Sequence, residues 1–250
     1  MNNLNITYKY DGTTTGLLCA LADAIKGGGV ASFQSEHAST LNFAEKTHIV
    51  ESNEERSDIF LEWLQGVSSA YSVRLLMYIL MSDYTGYEDT LLNYCRLLRK
   101  HGNNATRMQA DLTIRSITDR CYRVTKEIHR FKGLIRFQEL ESGKYWAPFE
   151  PDNNIIIALI PHFKARFANQ DWILHDVSRQ ILVTWDDEVL YYEEANEYMK
   201  KESISDAEQD IQQLWQTFYK SITITNRLNP KVQAQFMPKR YWKYLPEIVD

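Results

Sequence analysis

The 250-residue sequence predicts an α+β fold, in which an N-terminal strand and a helical layer are followed by an antiparallel sheet with flanking helices. Apolar residues recur at helical spacing over most of residues 53–133, and the apolar period changes to two after Gly133. Helices that precede a run of antiparallel strands are typical of the α+β class. The same change predicts two domains, a mostly helical region over residues 1–125 and an α+β domain over residues 126–250.

The N-terminal region is predicted to begin with a strand that leads into a helix. Apolar and polar side chains alternate over residues 5–10 before an Asp-Gly turn. One of Thr13 to Thr15 is expected to cap the helix, and Gly27 to Gly29 to end it. The next predicted elements are short strands over 31–38 and 46–52 and helical segments over 58–82, 86–102 and 103–133.

The C-terminal region combines strands of period two with three helices. The predicted strands cover residues 134–140, 144–149, 171–177, 180–185 and 188–193. One helix begins near Asn153, and Ser205 with Glu208 forms a capping box for a closing helix. Pro230 and Pro238 bracket a last short helix, because proline interrupts helical hydrogen bonding.

Composition and charge restrict the function classes. The net charge is -5, yet residues 96–136 contain eleven Lys or Arg against three acids, whereas residues 186–210 contain ten acids against two Lys. No apolar run approaches the roughly 20 residues of a membrane span. Cys19, Cys95 and Cys121 lack any CxxC spacing, which indicates buried free thiols in a reducing compartment. We therefore expect a cytoplasmic protein that does not enter the membrane.

Motifs of catalysis are scarce in this sequence. The six His residues lack metal-binding spacing, and there is no phosphate-binding loop or nucleophile elbow. We expect no cofactor, no metal and no turnover by the isolated chain. Two His–carboxylate pairs, Glu127 with His129 and His175 with Asp176, are the candidates if the protein is an enzyme that processes nucleotides or DNA.

Basic and aromatic residues alternate in three stretches, "EIHRFKGLIRFQEL", "HFKARFANQDW" and "NPKVQAQFMPKRYWKYLPE". Cations that meet phosphates beside rings that stack on bases are typical of nucleic-acid binding. In the last stretch, Trp242 and Phe236 are expected to pack inward and hold the cations in place. The alternative is a set of solvated helix faces. The candidate nucleic-acid-binding residues are Arg130, Lys132, Arg136, Arg166, Lys239, Arg240 and Lys243.

Several motifs, in order along the chain, resemble an uncharacterised bacterial family known only as probable DNA metabolism proteins. The matching positions are Tyr10, Asp11, Gly12, Glu127, His129, Arg130, Arg136, Phe137, Pro151, Asp152, Arg166, Phe167, Arg240, Tyr241 and Trp242. Members are encoded beside a radical S-adenosylmethionine protein or fused to a uracil-DNA-glycosylase-like domain. The chain has neither the cluster motif nor the glycosylase half.

The resemblance implies an accessory or DNA-binding component of a bacterial DNA repair or modification system. Its expected partners are DNA and a separate radical S-adenosylmethionine or glycosylase-like enzyme. Two alternatives stay open at this point. One is the His–carboxylate enzyme described above, and the other is a protein–protein adaptor that does not contact nucleic acid.

Overall fold

The computed structural model describes residues 5–36, 46–187, 189–195 and 202–248, and the chain divides into two compact units, residues 1–124 and 125–250. Both units combine helices with a sheet, so the α+β class is confirmed. Residues 37 and 38 of the predicted strand over 31–38, and residue 188 of the strand over 188–193, lie outside the described residues.

The first unit contains a parallel three-stranded sheet. Its strands are β1 (Asn5–Tyr10), β2 (Val30–Ser35) and β3 (Lys46–Ile49), in the order β2-β1-β3. Helix α1 (Thr14–Gly27) connects β1 to β2, and such a crossover returns the chain in the same direction. The predicted start and end of α1 are confirmed, because the Thr13 hydroxyl accepts a hydrogen bond from the Gly16 amide and Gly28 adopts a left-handed backbone.

Helices make up the rest of the first unit. They are α2 (Glu54–Val67), α3 (Ala70–Leu80), α4 (Glu88–His101), a 3₁₀ helix (Gly102–Arg107) and α5 (Leu112–Leu134), within which the unit boundary lies. The predicted segment over 58–82 is two helices, because the Ser69 hydroxyl accepts from the Ser72 amide and caps a new one. As predicted, Cys19, Cys95 and Cys121 are buried and not in a disulfide, and burial raises the pKa of Cys95 and Cys121 to about 12.

The second unit is built on a mixed five-stranded sheet. The strands lie in chain order and are β4 (Gln138–Glu139), β5 (Tyr145–Phe149), β6 (Trp172–Asp176), β7 (Ile181–Asp186) and β8 (Val189–Glu194). Four of the five predicted strand segments are confirmed, whereas the segment over 134–140 is a strand only at Gln138–Glu139, because α5 continues to Leu134. The prediction of a fully antiparallel sheet is wrong. Helix α6 (Ile156–Arg166) carries the chain across the sheet, so β6 pairs parallel to β5, while the other neighbouring pairs are antiparallel.

The C-terminal helices complete the second unit. Helix α7 (Asp206–Ile222) begins at the predicted Ser205 cap, and α8 (Pro230–Phe236) lies between the two predicted prolines. Short 3₁₀ helices follow each of them, Thr225–Arg227 and Lys239–Tyr244. Tyr241 and Leu245 are each only 2% exposed and anchor this segment, whereas Phe236 is 64% exposed. The expectation that Phe236 packs inward is therefore wrong.

Candidate nucleic-acid interface

A buried carboxylate on α5, that of Glu127, lies at the centre of a hydrogen-bond network in the second unit. Glu127 Oε1 accepts hydrogen bonds from the Asp152 amide at 2.7 Å and from the Tyr241 hydroxyl at 2.9 Å. Its Oε2 accepts from the amide and the side chain of Asn153 at 3.0 and 2.6 Å. Because these donors come from two separate parts of the chain, Glu127 joins α5 to the loop before α6 and to the C-terminal segment.

Arg240 belongs to the same network. Its guanidinium forms an ion pair with the Asp152 carboxylate and donates to the Tyr241 hydroxyl at 2.8 Å. Burial raises the pKa of Tyr241, and the neighbouring Glu127 carboxylate adds to the rise. The phenol therefore stays protonated and donates to Glu127. About half of the Arg240 side chain is exposed, so its ion pair lies at the surface.

Arg136 forms an ion pair with a different carboxylate. Glu247, whose side chain is 2% exposed, accepts hydrogen bonds from Arg136 Nη2 at 2.5 Å and Nε at 3.3 Å, and from the Trp215 indole at 3.1 Å. Burial favours the neutral acid, but these hydrogen bonds outweigh it and lower the pKa of Glu247. Arg136 thus compensates a buried charge near the end of the chain.

Lys243 also has a carboxylate partner. Its ammonium group donates to Glu150 Oε1 at 2.8 Å, and the Tyr244 hydroxyl donates to the same oxygen at 2.7 Å. The bond from Lys243 is the main reason why the pKa of Glu150 is lowered. A phosphate that binds Lys243 or Arg240 would have to compete with the carboxylate that each of these side chains already contacts.

The predicted pair of His175 and Asp176 is not brought together. The two residues are consecutive on β6, so their side chains point to opposite faces of the sheet. Asp176 is fully buried and accepts from the Ser178 hydroxyl at 2.6 Å and from Arg179 Nη1 at 2.9 Å. The ring of His175 accepts from the Trp146 indole at 3.3 Å, and burial lowers the pKa of His175.

Glu127 and His129 do not form a pair either. They are two positions apart on α5, which places them on roughly opposite sides of a helix with 3.6 residues per turn. Glu127 is buried in its network, whereas His129 is exposed. Among the described residues, no group of three or more His, Cys, Asp or Glu could hold a metal ion.

The remaining predicted cations have no carboxylate partner in the part of the chain that the structure describes. Arg130 donates to the backbone carbonyl of Gln235 at 3.0 Å, which ties α8 to α5. Lys239 lies over the Trp242 ring, 5.6 Å from its centroid. Lys132 and Arg166 form no ion pair within the described ranges; Arg166 lies one turn after His162 on α6, and the backbone of Lys132 is hydrogen-bonded to the His162 side chain. Burial, followed by these two positive charges, lowers the pKa of His162.

Comparison with known proteins adds a family to this geometry. Residues 85–247, more than half of the chain, match the model of a domain of unknown function, DUF4130. The chain belongs to the DUF4130 family. The match contains Glu127, Arg136, Arg166 and Arg240, whereas the Tyr10–Gly12 motif lies outside it. No curated protein and no solved structure matches the chain.

The carboxylate partners of Arg136 and Lys243 could not be predicted from the sequence of this DUF4130 chain. Glu247 ends the last basic and aromatic stretch and Glu150 was not among the predicted site residues, and they are 111 and 93 residues away from the cations they bind. The one local feature of the sequence that bears on these contacts is the high content of aromatic rings in the terminal segment, which indicates that this segment packs against the rest of the unit.

In the described part of this DUF4130 chain, no helix is long and apolar enough to cross a membrane.

Proposed function

We propose that the chain is a nucleic-acid-binding accessory component of a bacterial DNA repair or modification system. In this proposal the chemistry belongs to a separate radical S-adenosylmethionine or glycosylase-like enzyme. The observation that supports it is the pair Lys132 and Arg166, two cations close to His162 that have no carboxylate partner among the described residues, with Arg166 beside the Phe167 ring.

The electrostatics around His162 support an anion surface. Burial lowers the pKa of His162 most, and the positive charges of Lys132 and Arg166 lower it further; Arg166 lies one helical turn after His162 on α6, so both cations act near the same imidazole. Positive potential attracts polyanions and raises their association rate. The Arg166 guanidinium also lies 5.5 Å from the centroid of the Phe167 ring. A phosphate and a stacked base could therefore be met side by side.

The paired cations have a different role in this proposal. Arg136 compensates the buried Glu247 carboxylate, while Arg240 and Lys243 hold surface carboxylates of the loop before α6. Their main effect is to fix the C-terminal segment against the sheet. Arg130 and Lys239 are further phosphate contacts in this proposal, since no carboxylate pairs with either in the described ranges.

The test is the salt dependence of DNA binding by the full chain. The double variant Lys132→Ala with Arg166→Ala should bind a labelled single-stranded oligonucleotide more weakly. The slope of log affinity against log salt should fall by about 0.7 for each lost phosphate contact. A matched variant, Arg74→Ala with Lys220→Ala, removes the same charge from exposed positions elsewhere and should keep the wild-type slope. Equal slopes for the two double variants would contradict the proposal.

A protein–protein adaptor is the second candidate, and helix α7 favours it. Ile211, Leu214, Phe218 and Ile222 follow each other at intervals of three or four residues, so they share one face of the helix. Each of these side chains is at least half exposed. An apolar face of this kind is typical of a surface that docks an apolar surface of a partner protein.

The adaptor function can be tested by co-purification with the enzyme encoded beside the gene. Leu214→Lys with Phe218→Lys should abolish recovery of that enzyme, because charges would then occupy the apolar face. Leu112→Lys, a change at a residue that is 82% exposed on α5, is the control and should leave recovery unchanged. Full recovery with the α7 variant would exclude this face as the docking surface.

A further inference from the structure

A cavity of about 400 Å³ lies within the first unit, between α1, α2 and α4. On α2 its lining residues are Arg56, Ile59, Phe60 and Trp63, which are three or four residues apart and therefore share one face of the helix. The rest of the lining comes from α1 and from Arg99 on α4. Small-molecule sites measure about 300–1,000 Å³, whereas about 150 Å³ is enough for benzene. The cavity is therefore large enough for a ligand clearly larger than benzene.

The inner wall of the cavity is apolar. Ala22 and Ile25 of α1 and Phe60 of α2 are each at most 9% exposed. The rings of Phe60 and Trp63 are stacked, with centroids 5.8 Å apart. Ala22 contributes only a methyl group, which leaves space between the two helices. The wall favours an apolar ligand body, because a polar body would lose hydrogen bonds to water without replacing them.

The charged residues that line the cavity are cations, Lys26, Arg56 and Arg99. Asp23 lies outside the lining and neutralises Arg56 through an ion pair of 2.7 Å. Lys26 and Arg99 have no carboxylate partner in the part of the chain that the structure describes. Among the described lining residues none is acidic, so the cavity carries a net positive charge.

Lys26 and Arg99 lie at the same end of the cavity, beside the last turn of α1. Arg99 Nη1 donates to the carbonyl oxygen of Ile25, the residue before Lys26, at 3.1 Å. This bond holds the guanidinium in place, while its other N–H groups have no acceptor among the described residues. Both side chains are exposed and can be reached by a ligand. An anionic group at this end would meet two positive charges and several donors.

We infer that this cavity binds a small amphipathic anion, a molecule with an apolar body and one carboxylate or phosphate group. The body lies against Ile25, Phe60 and Trp63, and the anionic group contacts Lys26 and Arg99. The inference does not depend on the proposed function, because the described lining residues all belong to the first unit, whereas the proposed phosphate contacts belong to the second.

The experiment is isothermal titration calorimetry of the full chain with naphthylacetate, its neutral analogue naphthylacetamide, acetate, octanoate and naphthyl phosphate. Naphthylacetate should bind about tenfold more tightly than naphthylacetamide, because hydrogen bonds to a charged group are stronger than those to a neutral one. Acetate lacks the apolar body and should show no binding at millimolar concentration. Octanoate tests for an aliphatic body, and naphthyl phosphate tests for a phosphate in place of the carboxylate.

Two variants connect binding to the cavity. Ala22→Met extends a side chain into the space between α1 and α2 and should reduce naphthylacetate binding below detection, because a methionine side chain fills irregular gaps. Lys26→Met with Arg99→Met should weaken naphthylacetate binding by about 2- to 30-fold, the range for two exposed charge contacts, and leave naphthylacetamide binding unchanged. Arg74→Met with Lys100→Met removes the same charge from exposed positions outside the lining and is the matched control.

The double variant Lys26→Met with Arg99→Met changes only exposed side chains, so it tests the inference even if Ala22→Met does not fold. Equal weakening in this variant and in the matched control would overturn the assignment of the two cations. Unchanged naphthylacetate binding by folded Ala22→Met would overturn the cavity as the site.

The probes test the two halves of the ligand separately. Equal affinity for naphthylacetate and naphthylacetamide would overturn the need for an anion, and equal affinity for naphthylacetate and acetate would overturn the need for an apolar body. No binding of naphthylacetate, octanoate or naphthyl phosphate at millimolar concentration would overturn the inference as a whole. DNA binding by the full chain is measured independently by the salt series described above, so the failure of one proposal leaves the other standing.

Discussion

Replacing Arg136 by alanine would leave the Glu247 carboxylate buried with the Trp215 indole as its remaining side-chain donor. Removal of one partner from a buried ion pair costs about 3–5 kcal/mol, because the other charge is left without compensation. Because the Trp215 indole still donates to Glu247, we expect Arg136→Ala to lower the free energy of unfolding by about 3 kcal/mol, the lower end of this range. For a chain of 150–250 residues, this corresponds to a fall in Tm of about 6–12 °C at neutral pH.

The loss of stability in Arg136→Ala should depend on pH in a definite direction. In the wild type the pKa of Glu247 is lowered, so its contribution to stability is present above the unfolded-state pKa and is lost as the pH falls through the folded-state pKa. In Arg136→Ala, burial is no longer offset and should raise the pKa of Glu247. The buried acid then becomes neutral more easily, and the deficit in Tm should narrow as the pH is lowered from 7 to 4.

Thermal unfolding across this pH range, followed by circular dichroism, is the assay. Arg166→Ala removes an exposed cation and should change stability by no more than about 0.5 kcal/mol. The double change Arg136→Met with Glu247→Leu should recover most of the lost stability, since apolar groups can replace a buried ion pair. A Tm deficit under 1 °C for Arg136→Ala, or one that widens in acid, would refute the role of Arg136 as the partner of a buried charge.

Three further predictions concern the second unit. Tyr241→Phe should lower the free energy of unfolding by about 1.5–3 kcal/mol in urea titrations, because Glu127 loses a hydrogen bond to a charged acceptor, whereas Phe236→Leu should leave it nearly unchanged. Gly143→Ala should destabilise by about 1 kcal/mol, since Gly143 has φ +82° in the turn before β5; an unchanged urea midpoint would contradict this. The purified chain should release neither base nor phosphate from damaged DNA, and turnover that disappears in His129→Ala or His175→Ala would prove this wrong.

The sequence by itself determined the elements whose signals are local. The Thr13 and Ser205 caps, the end of α1 before Gly28 and the strands after Gly133 were all predicted, because capping, turn and periodicity depend on residues within a few positions of each other. The α+β class follows from the order of these elements. Short motifs likewise pointed to an uncharacterised family, and the match to a domain of unknown function over residues 85–247 agrees with that much.

Tertiary structure alone decided how the strands pair, which aromatic rings are buried and which cations form ion pairs. The parallel pairing of β5 and β6 depends on the path of α6 across the sheet. Lys132 and Arg136 are four residues apart in similar sequence surroundings, yet only Arg136 has a carboxylate partner among the described residues. The difference arises because Glu247, 111 residues away, folds back beside Arg136. A charge is compensated by whatever lies within a few ångströms, and that distance is set by packing of the whole unit.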